Sequence, residues 1–248
     1  MRAGRLTVEN YRGVPVPRTL GLWLVLAAVG STGVIALTGR PAPVARAGWG
    51  ALGATVLVFA AGLVDDLAPA GPRGLRNHVR GLAAGHVSTG IVKVVVIVAA
   101  AVVAVALQPG RSGWVGLAGA VLVAASANVW NGLDVRPGRA MKFGLLASLG
   151  LVGVDLALLP TLPGVVLGSA VGLWFDLHER AMLGDGGANL LGFTVGLGLY
   201  LVLPDPGVVA AAAVAVAINA IAETTTLSRV IDMVPPLRWF DGLGRLPT

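Results

Sequence analysis

Apolar stretches of about 16–20 residues recur from Thr19 to Ala222, more of them and longer than one buried core can absorb. That repetition makes a bilayer the natural solvent. Every backbone polar group must then be satisfied within its own segment, so helices are the expected elements. Charged residues are 12% of the chain, where soluble domains carry roughly a quarter. A soluble enzyme is excluded. Aromatic residues at 5%, without alternation in segments of about ten residues, argue against a membrane β-barrel. The expected class is an all-α, polytopic integral membrane protein, with residues 1–248 as a single domain. The absence of cysteine removes disulfides, thiol nucleophiles and Cys-based metal sites. Arg2 and Arg5 precede the first run, and Ala45-Arg46-Ala47 has the form of a signal-peptide cleavage site. The run Thr19–Leu37 is nevertheless too long for a signal core and is expected to stay as a first helix.

Eight helices are expected, at about 19–37, 47–64, 89–107, 114–130, 143–159, 164–175, 189–203 and 207–222. The sixth is about a dozen residues long, short for a crossing; if it does not cross, the sidedness of everything after it inverts. With eight crossings, most of the 18 basic residues share one side, from Arg12 and Arg18 through Arg136, Arg139 and Lys142 to Arg229, Arg238 and Arg245. The positive-inside rule makes that side cytoplasmic, with both termini on it. The protein is then a multi-pass component of the inner or plasma membrane with its active face towards the cytoplasm. Asp65, Asp66, Asp134, Asp176, Glu179 and Asp185 fall on the same side. A net charge of +6, spread in this way, sets topology and is no nucleic-acid signature.

Three constellations carry chemistry. In Gly62-Leu63-Val64-Asp65-Asp66-Leu67 two carboxylates close an apolar helix, where ionised acids need a cation or hydrogen-bond donors. Hard oxygen ligands point to Mg²⁺, with Mn²⁺ as the alternative. In Ser126-Ala127-Asn128-Val129-Trp130-Asn131-Gly132-Leu133-Asp134, polar residues every three positions place Asn128, Asn131 and Asp134 on roughly one helical face. They address one object or form an interhelical seam. In Met182-Leu183-Gly184-Asp185-Gly186-Gly187-Ala188-Asn189 the glycines allow close backbone approach at a helix start, suiting a phosphate, with Asp185 as a metal ligand beside it. Lys93, one turn inside the third helix, either snorkels or pairs with a phosphate or with Asp65 and Asp66. His78, His86 and His178 show no metal-ligand spacing, and Asp155 and Glu223 read as structural groups.

In this order, the segments resemble the polyprenyl-phosphate N-acetylhexosamine-1-phosphate transferase family, over most of the chain from Asn10-Tyr11-Arg12-Gly13-Val14-Pro15-Val16-Pro17 onwards. The family's acidic pair matches Asp65-Asp66, and its Asn-x-x-Asn-x-x-Asp motif matches Asn128, Asn131 and Asp134. Its Met-x-Gly-Asp-x-Gly segment matches Met182, Gly184, Asp185 and Gly187, and its helix-embedded lysine corresponds to Lys93. Departures are Pro69 in place of a third charged residue, a basic turn from Val135 to Ala140, Ala188 in place of Ser, and no His-rich motif between Ser228 and Arg245. They fall mainly on nucleotide-sugar recognition.

The resemblance implies a membrane phosphoglycosyl transferase of cell-wall biogenesis. A polyprenyl phosphate oxygen attacks the β-phosphorus of a UDP-sugar and UMP leaves. Mg²⁺ is then held by Asp185 with Asn131 or Asp134, while Lys93 adds positive charge and Asp65 or Asp66 handles the acceptor phosphate. Gly184, Gly187, Arg136, Arg139 and Arg229 become contacts for the phosphorylated substrates. Two other classes stand beside it: a non-catalytic relative that binds polyprenyl phosphate or partner enzymes, and a small-solute transporter. Monomer and homodimer are both open.

Overall fold

Glycine, proline and capping hydroxyls set the ends of the helices into which the apolar runs fold. The computed structural model describes residues 6–68, 87–108, 110–111 and 113–246. Among them an antiparallel hairpin, β1 (Thr7–Glu9) with β2 (Pro15–Pro17), precedes ten helices. These are α1 (Leu20–Ala36), α2 (Ala42–Leu67), α3 (Thr89–Ala106), α4 (Gly113–Leu133), α5 (Arg139–Leu149), α6 (Leu162–Leu177), α7 (Gly184–Val202), α8 (Asp205–Thr224), α9 (Leu227–Met233) and α10 (Pro235–Gly242). The all-helical class is the one expected. α2, α3, α4 and α8 are long and apolar enough to cross a membrane, and α1 and α6 are shorter apolar helices. Ser88 caps α3 by accepting from the Ile91 N–H, and Thr226 caps α9 by accepting from the Arg229 N–H.

α7 is the pillar of the bundle and is buried along nearly its whole length, from Gly184 to Tyr200. Lipid offers no hydrophobic drive for helices to associate, so small residues that let backbones touch decide the packing. Gly192 and Gly196 sit on Ser126 and Ala127 of α4; a Cβ on Gly192 would lie 2.5 Å from the Ser126 carbonyl oxygen. On the other flank, a Cβ on Gly62 of α2 would lie 2.6 Å from the Gly186 Cα, and one on Gly21 of α1 would lie 2.7 Å from the Gly187 nitrogen. α6 meets α1 in the same way through Gly164 and Gly168.

The fifth expected helix is corrected. Instead of 143–159, α5 has 11 residues, about 16 Å, and turns follow from Gly150 to Thr161. Gly150, Gly153 and Pro160 interrupt the run, and the Asp155 carboxylate accepts the Ala157 N–H at 2.9 Å to hold one of the turns. Leu151, Val154 and Leu159 of this segment are buried. The Ser31 hydroxyl donates to the Pro160 carbonyl at 2.7 Å, which ties the segment to α1. Irregular backbone wrapped in protein in this manner is the kind a membrane tolerates. α6 has 16 residues rather than a dozen, and α2 extends to Leu67, carrying Asp65 and Asp66 inside its last turn.

The hairpin, α9 and α10 gather at one end of the bundle. The Met182 N–H donates to the Pro17 carbonyl at 2.8 Å, the Asn10 amide to Glu179 at 2.6 Å, and the Arg12 guanidinium to the Leu246 carbonyl at 2.9 Å. The opposite end gathers Arg111, which bonds to the Leu203 carbonyl and pairs with Asp205 at 3.5 Å. Arg2, Arg5, Pro69, Arg73, Arg76, His78, Arg80 and His86 lie outside the described residues.

Candidate functional site

Three helix ends meet because glycines let them. Gly62 brings the last turn of α2 onto the first turn of α7, and Gly21 brings α1 beside both. This places Asp65 and Asp185 on either side of Lys93, which reaches in from α3. The Lys93 ammonium is 2.5 Å from Asp65 Oδ2 and 2.5 Å from Asp185 Oδ2. Thr89, one turn before Lys93, donates to Asp65 Oδ1 at 2.6 Å. The lysine therefore does not snorkel, and of the acidic pair it takes Asp65 and leaves Asp66.

Asp66 is occupied elsewhere. Its carboxylate meets Arg18 at 2.9 Å and accepts the Gly186 N–H at 3.2 Å. Gly184 has φ of 70°, a left-handed conformation open to glycine, and an added Cβ would lie 2.8 Å from Asp66 Oδ2. The glycines at the start of α7 thus admit the protein's own carboxylates to the positive end of the helix, and a phosphate cradle there is not free. Gly187 is a correction: it is buried against Gly21 and Leu183 and is a packing residue with no face towards a ligand.

The Asn-x-x-Asn-x-x-Asp series divides. A groove of about 550 Å³ runs along α4 between α3 and α8, and Lys93, Asn128, Asn131, Asn219 and Glu223 line its polar end. Ile97, Val98 and Val102 of α3, Leu117 and Val121 of α4, and Val216 of α8 line the rest. Asn128 and Asn131 open on this groove. Asp134 does not, because α4 closes at Leu133 and the chain turns. It lies instead in a small crevice with Asn10, Arg136, Asp176 and Met182, near the Gly184 N–H. Burial, then the like charges of Asp176, Asp185 and Asp66, push its carboxyl well above the ordinary carboxylate range. The three residues therefore share a neighbourhood without addressing one object. Asn128 also donates to Asn219 of α8, so the interhelical seam is real.

The predicted arginines part company too. Arg139 is a correction: it is 1% exposed, and its guanidinium bonds to both Asp241 oxygens at 2.8 Å and to Ser228 at 2.6 Å. It is a buried structural cation. Arg136 lies over the Tyr11 ring, 5.3 Å from its centroid, on the crevice wall. Arg229 is exposed on α9, two residues after Leu227, which lines the groove mouth.

Among the described residues, Asp65, Asp66 and Asp185 pair with two cations, Lys93 and Arg18, and Asp134 adds a fourth carboxyl beside them. One turn along α7 from Asp185, Asn189 is fully buried; its amino group donates to the Asp185 carbonyl, and its Oδ1 has no partner among the described residues. Hard oxygens in excess of positive charge are a donor set that fits a divalent cation. Among the described residues no three His, Cys, Asp or Glu side chains form a ready-made metal cluster. Asn189 and Asn219 are the residues that sequence reasoning missed. Asn189 ends the Met182–Asn189 segment and could have been found there, whereas Asn219 is a lone amide in a run of Ala and Val. Compared with known proteins, the chain matches no family model and no curated sequence.

Proposed function

We propose that the chain is a membrane phosphoglycosyl transferase that moves a sugar-1-phosphate from a UDP-sugar to polyprenyl phosphate. It crosses the bilayer eight times with both termini in the cytoplasm, the α5 segment completing one crossing with its turns. The observation that carries the reading is the groove: an apolar channel open along α3, α4 and α8 ends at Lys93, which is itself held between Asp65 and Asp185. An amphiphile with a long apolar tail and an anionic head fits such a shape. Among the described residues the charged side chains stand at helix ends, in loops or in turns, whereas a transporter needs them near mid-depth.

Two anionic reactants repel, so positioning and charge neutralisation are what the protein must supply. Lys93 sits where the lipid phosphate would leave the groove, and its ammonium neutralises phosphate oxygens at that point. Asp65 is the better placed group to take the acceptor's proton, since it stands beside Lys93 at the end of the groove, whereas Asp66 faces Arg18 and Gly186. Asp66 is a positioning residue that fixes the start of α7. Asp185 and Asp134 would hold Mg²⁺, with Asn189 behind them; when bound, the ion supplies charge neutralisation on the diphosphate. Asn131 belongs to the lipid side of the site. A phosphate oxygen forms a new bond to the β-phosphorus, the α–β anhydride bond breaks, and UMP departs with the electron pair.

The test is a screen of radiolabelled UDP-sugars with purified protein, Mg²⁺ and undecaprenyl phosphate. A lipid-linked product is expected with at least one donor, and Asp185→Asn should abolish it. Folded protein inert towards every donor would overturn the transferase reading. Undecaprenyl phosphate binding retained in that inert protein would leave the non-catalytic alternative in its place.

A further inference from the structure

α9 and α10 present a second surface, away from the groove. Leu227 and Ile231 of α9 and Asp241 of α10 are buried, and Leu237 packs partly buried beside them, so one side of the pair faces the bundle. The other side leaves Trp239 68% exposed and Met233 66% exposed. What covers them depends on the depth at which the pair lies. α8 is long and apolar enough to cross a membrane, and α9 starts three residues after it ends. Phe240 stacks edge-on against Phe143 of α5 at 5.3 Å, and Leu146, one turn further along α5, is exposed. A Cβ on Gly244 would lie 3.1 Å from Leu177, the last residue of α6. One turn back on α6 the exposed Trp174 carries the Arg180 guanidinium 4.8 Å above its ring. The pair therefore lies across the ends of α5, α6 and α8, at the level where apolar helices give way to lipid head groups.

We infer that the outer side of α9 and α10 is a binding surface for anionic phospholipid head groups, with Trp239 and Met233 seated in the interface and Arg229 and Arg238 on the anionic groups. Indole is at home at that depth, and arginine reaches from it to phosphate. Both arginines are exposed, and Asp232 is the exposed acid between them, so two cations stand against one anion. That balance favours a negatively charged leaflet over a zwitterionic one. A water-borne protein partner would need this side to stand clear of the membrane, and the seats on Phe143 and Leu177 hold it down. The surface is independent of the transferase reading, because neither Lys93 nor the carboxylates around it belong to it.

The chain contains no cysteine, so Met233→Cys and Trp239→Cys each supply a unique thiol at an exposed position for a nitroxide spin label. The labelled full chain is placed in nanodiscs of phosphatidylcholine alone or mixed with phosphatidylglycerol. Power saturation then compares collisions with oxygen, which concentrates in lipid, and with a neutral nickel chelate, which stays in water. The ratio is expected to favour oxygen at both positions and to be severalfold higher in the mixed membrane, on the scale of about fivefold per arginine. High salt should erase that rise. Arg229→Gln with Arg238→Gln should erase it as well, and both residues are exposed, so the fold is left intact. Labels that meet mainly the nickel chelate in both membranes would overturn the inference and turn this side towards water. An equal ratio in the two membranes, or a rise that survives in the double arginine variant, would also overturn it. None of these outcomes bears on the donor screen, which tests the transferase reading separately.

Discussion

Asp134 is a residue whose charge the fold opposes. Its carboxyl is buried at the foot of α4 amid three other acids, with the Gly184 N–H as a small compensation, and its pKa is raised. A carboxyl whose pKa is raised on folding binds its proton more tightly in the folded state. Stability therefore falls as pH climbs from the ordinary carboxylate value near 4 through the raised one, and stays low above it. Asp134→Asn removes that cost. The variant is expected to melt higher than wild type at pH 7.5, with the difference closing towards roughly pH 4, while transfer activity is lost. Melting curves in detergent at the two pH values check it, and equal melting temperatures at pH 7.5 would refute it. Asp65, Lys93 and Asp185, which the structure brings together, were legible as candidates because charge inside an apolar run needs a reason. Arg139 was misread for the opposite cause: its partner, Asp241, is 102 positions away, and nothing local announces the pair.

Among the elements, packing glycines matter more than propensity. A Cβ on Gly164 of α6 would stand 2.0 Å from the Ala27 carbonyl oxygen of α1, whereas Gly30 of α1 has nothing within 4 Å. Gly164→Ala should destabilise the protein by about 1–3 kcal/mol, as overpacked interiors do. Gly30→Ala should be neutral or gain up to about 1 kcal/mol from helix propensity. Denaturation of the two variants side by side measures the contrast, and equal stabilities would show that α1 and α6 are not seated on Gly164. Most helices were readable because an apolar run between breakers admits little else. The fifth was not, since hydropathy scores the buried turns around Leu151 and Val154 like helix, and Gly150, Gly153 and Pro160 carried the only warning. The β1–β2 hairpin and the α9–α10 pair were missed because they are short, held by long-range bonds to Glu179, Met182 and Arg139.

At the scale of the molecule, the two described terminal segments are latched over the same end of the bundle. Arg139 and Arg245 bracket Asp241, and Lys142 donates to the carbonyls of Phe240, Asp241 and Leu243. Burial opposes the charge on Asp241, but the two guanidinium groups outweigh it and hold its carboxyl below the ordinary range. Such a group stabilises the fold above the unfolded value near 4 and loses that contribution as pH falls through the depressed pKa. Asp241→Asn, which strands a buried arginine, should cost about 3–5 kcal/mol at neutral pH. It should also bring to pH 7 the cleavage of the 225–246 segment that wild type is expected to undergo only in strong acid; limited proteolysis across pH reads both, and an unchanged pattern would refute the latch.

α3 and α8 scarcely touch, so the groove between them is a slit facing sideways rather than a mouth facing water. Under the proposed function, the lipid arrives there by two-dimensional diffusion in the leaflet. What the protein senses is then the mole fraction of that lipid among its neighbours, and surface dilution by inert lipid or detergent would starve it even at constant bulk concentration.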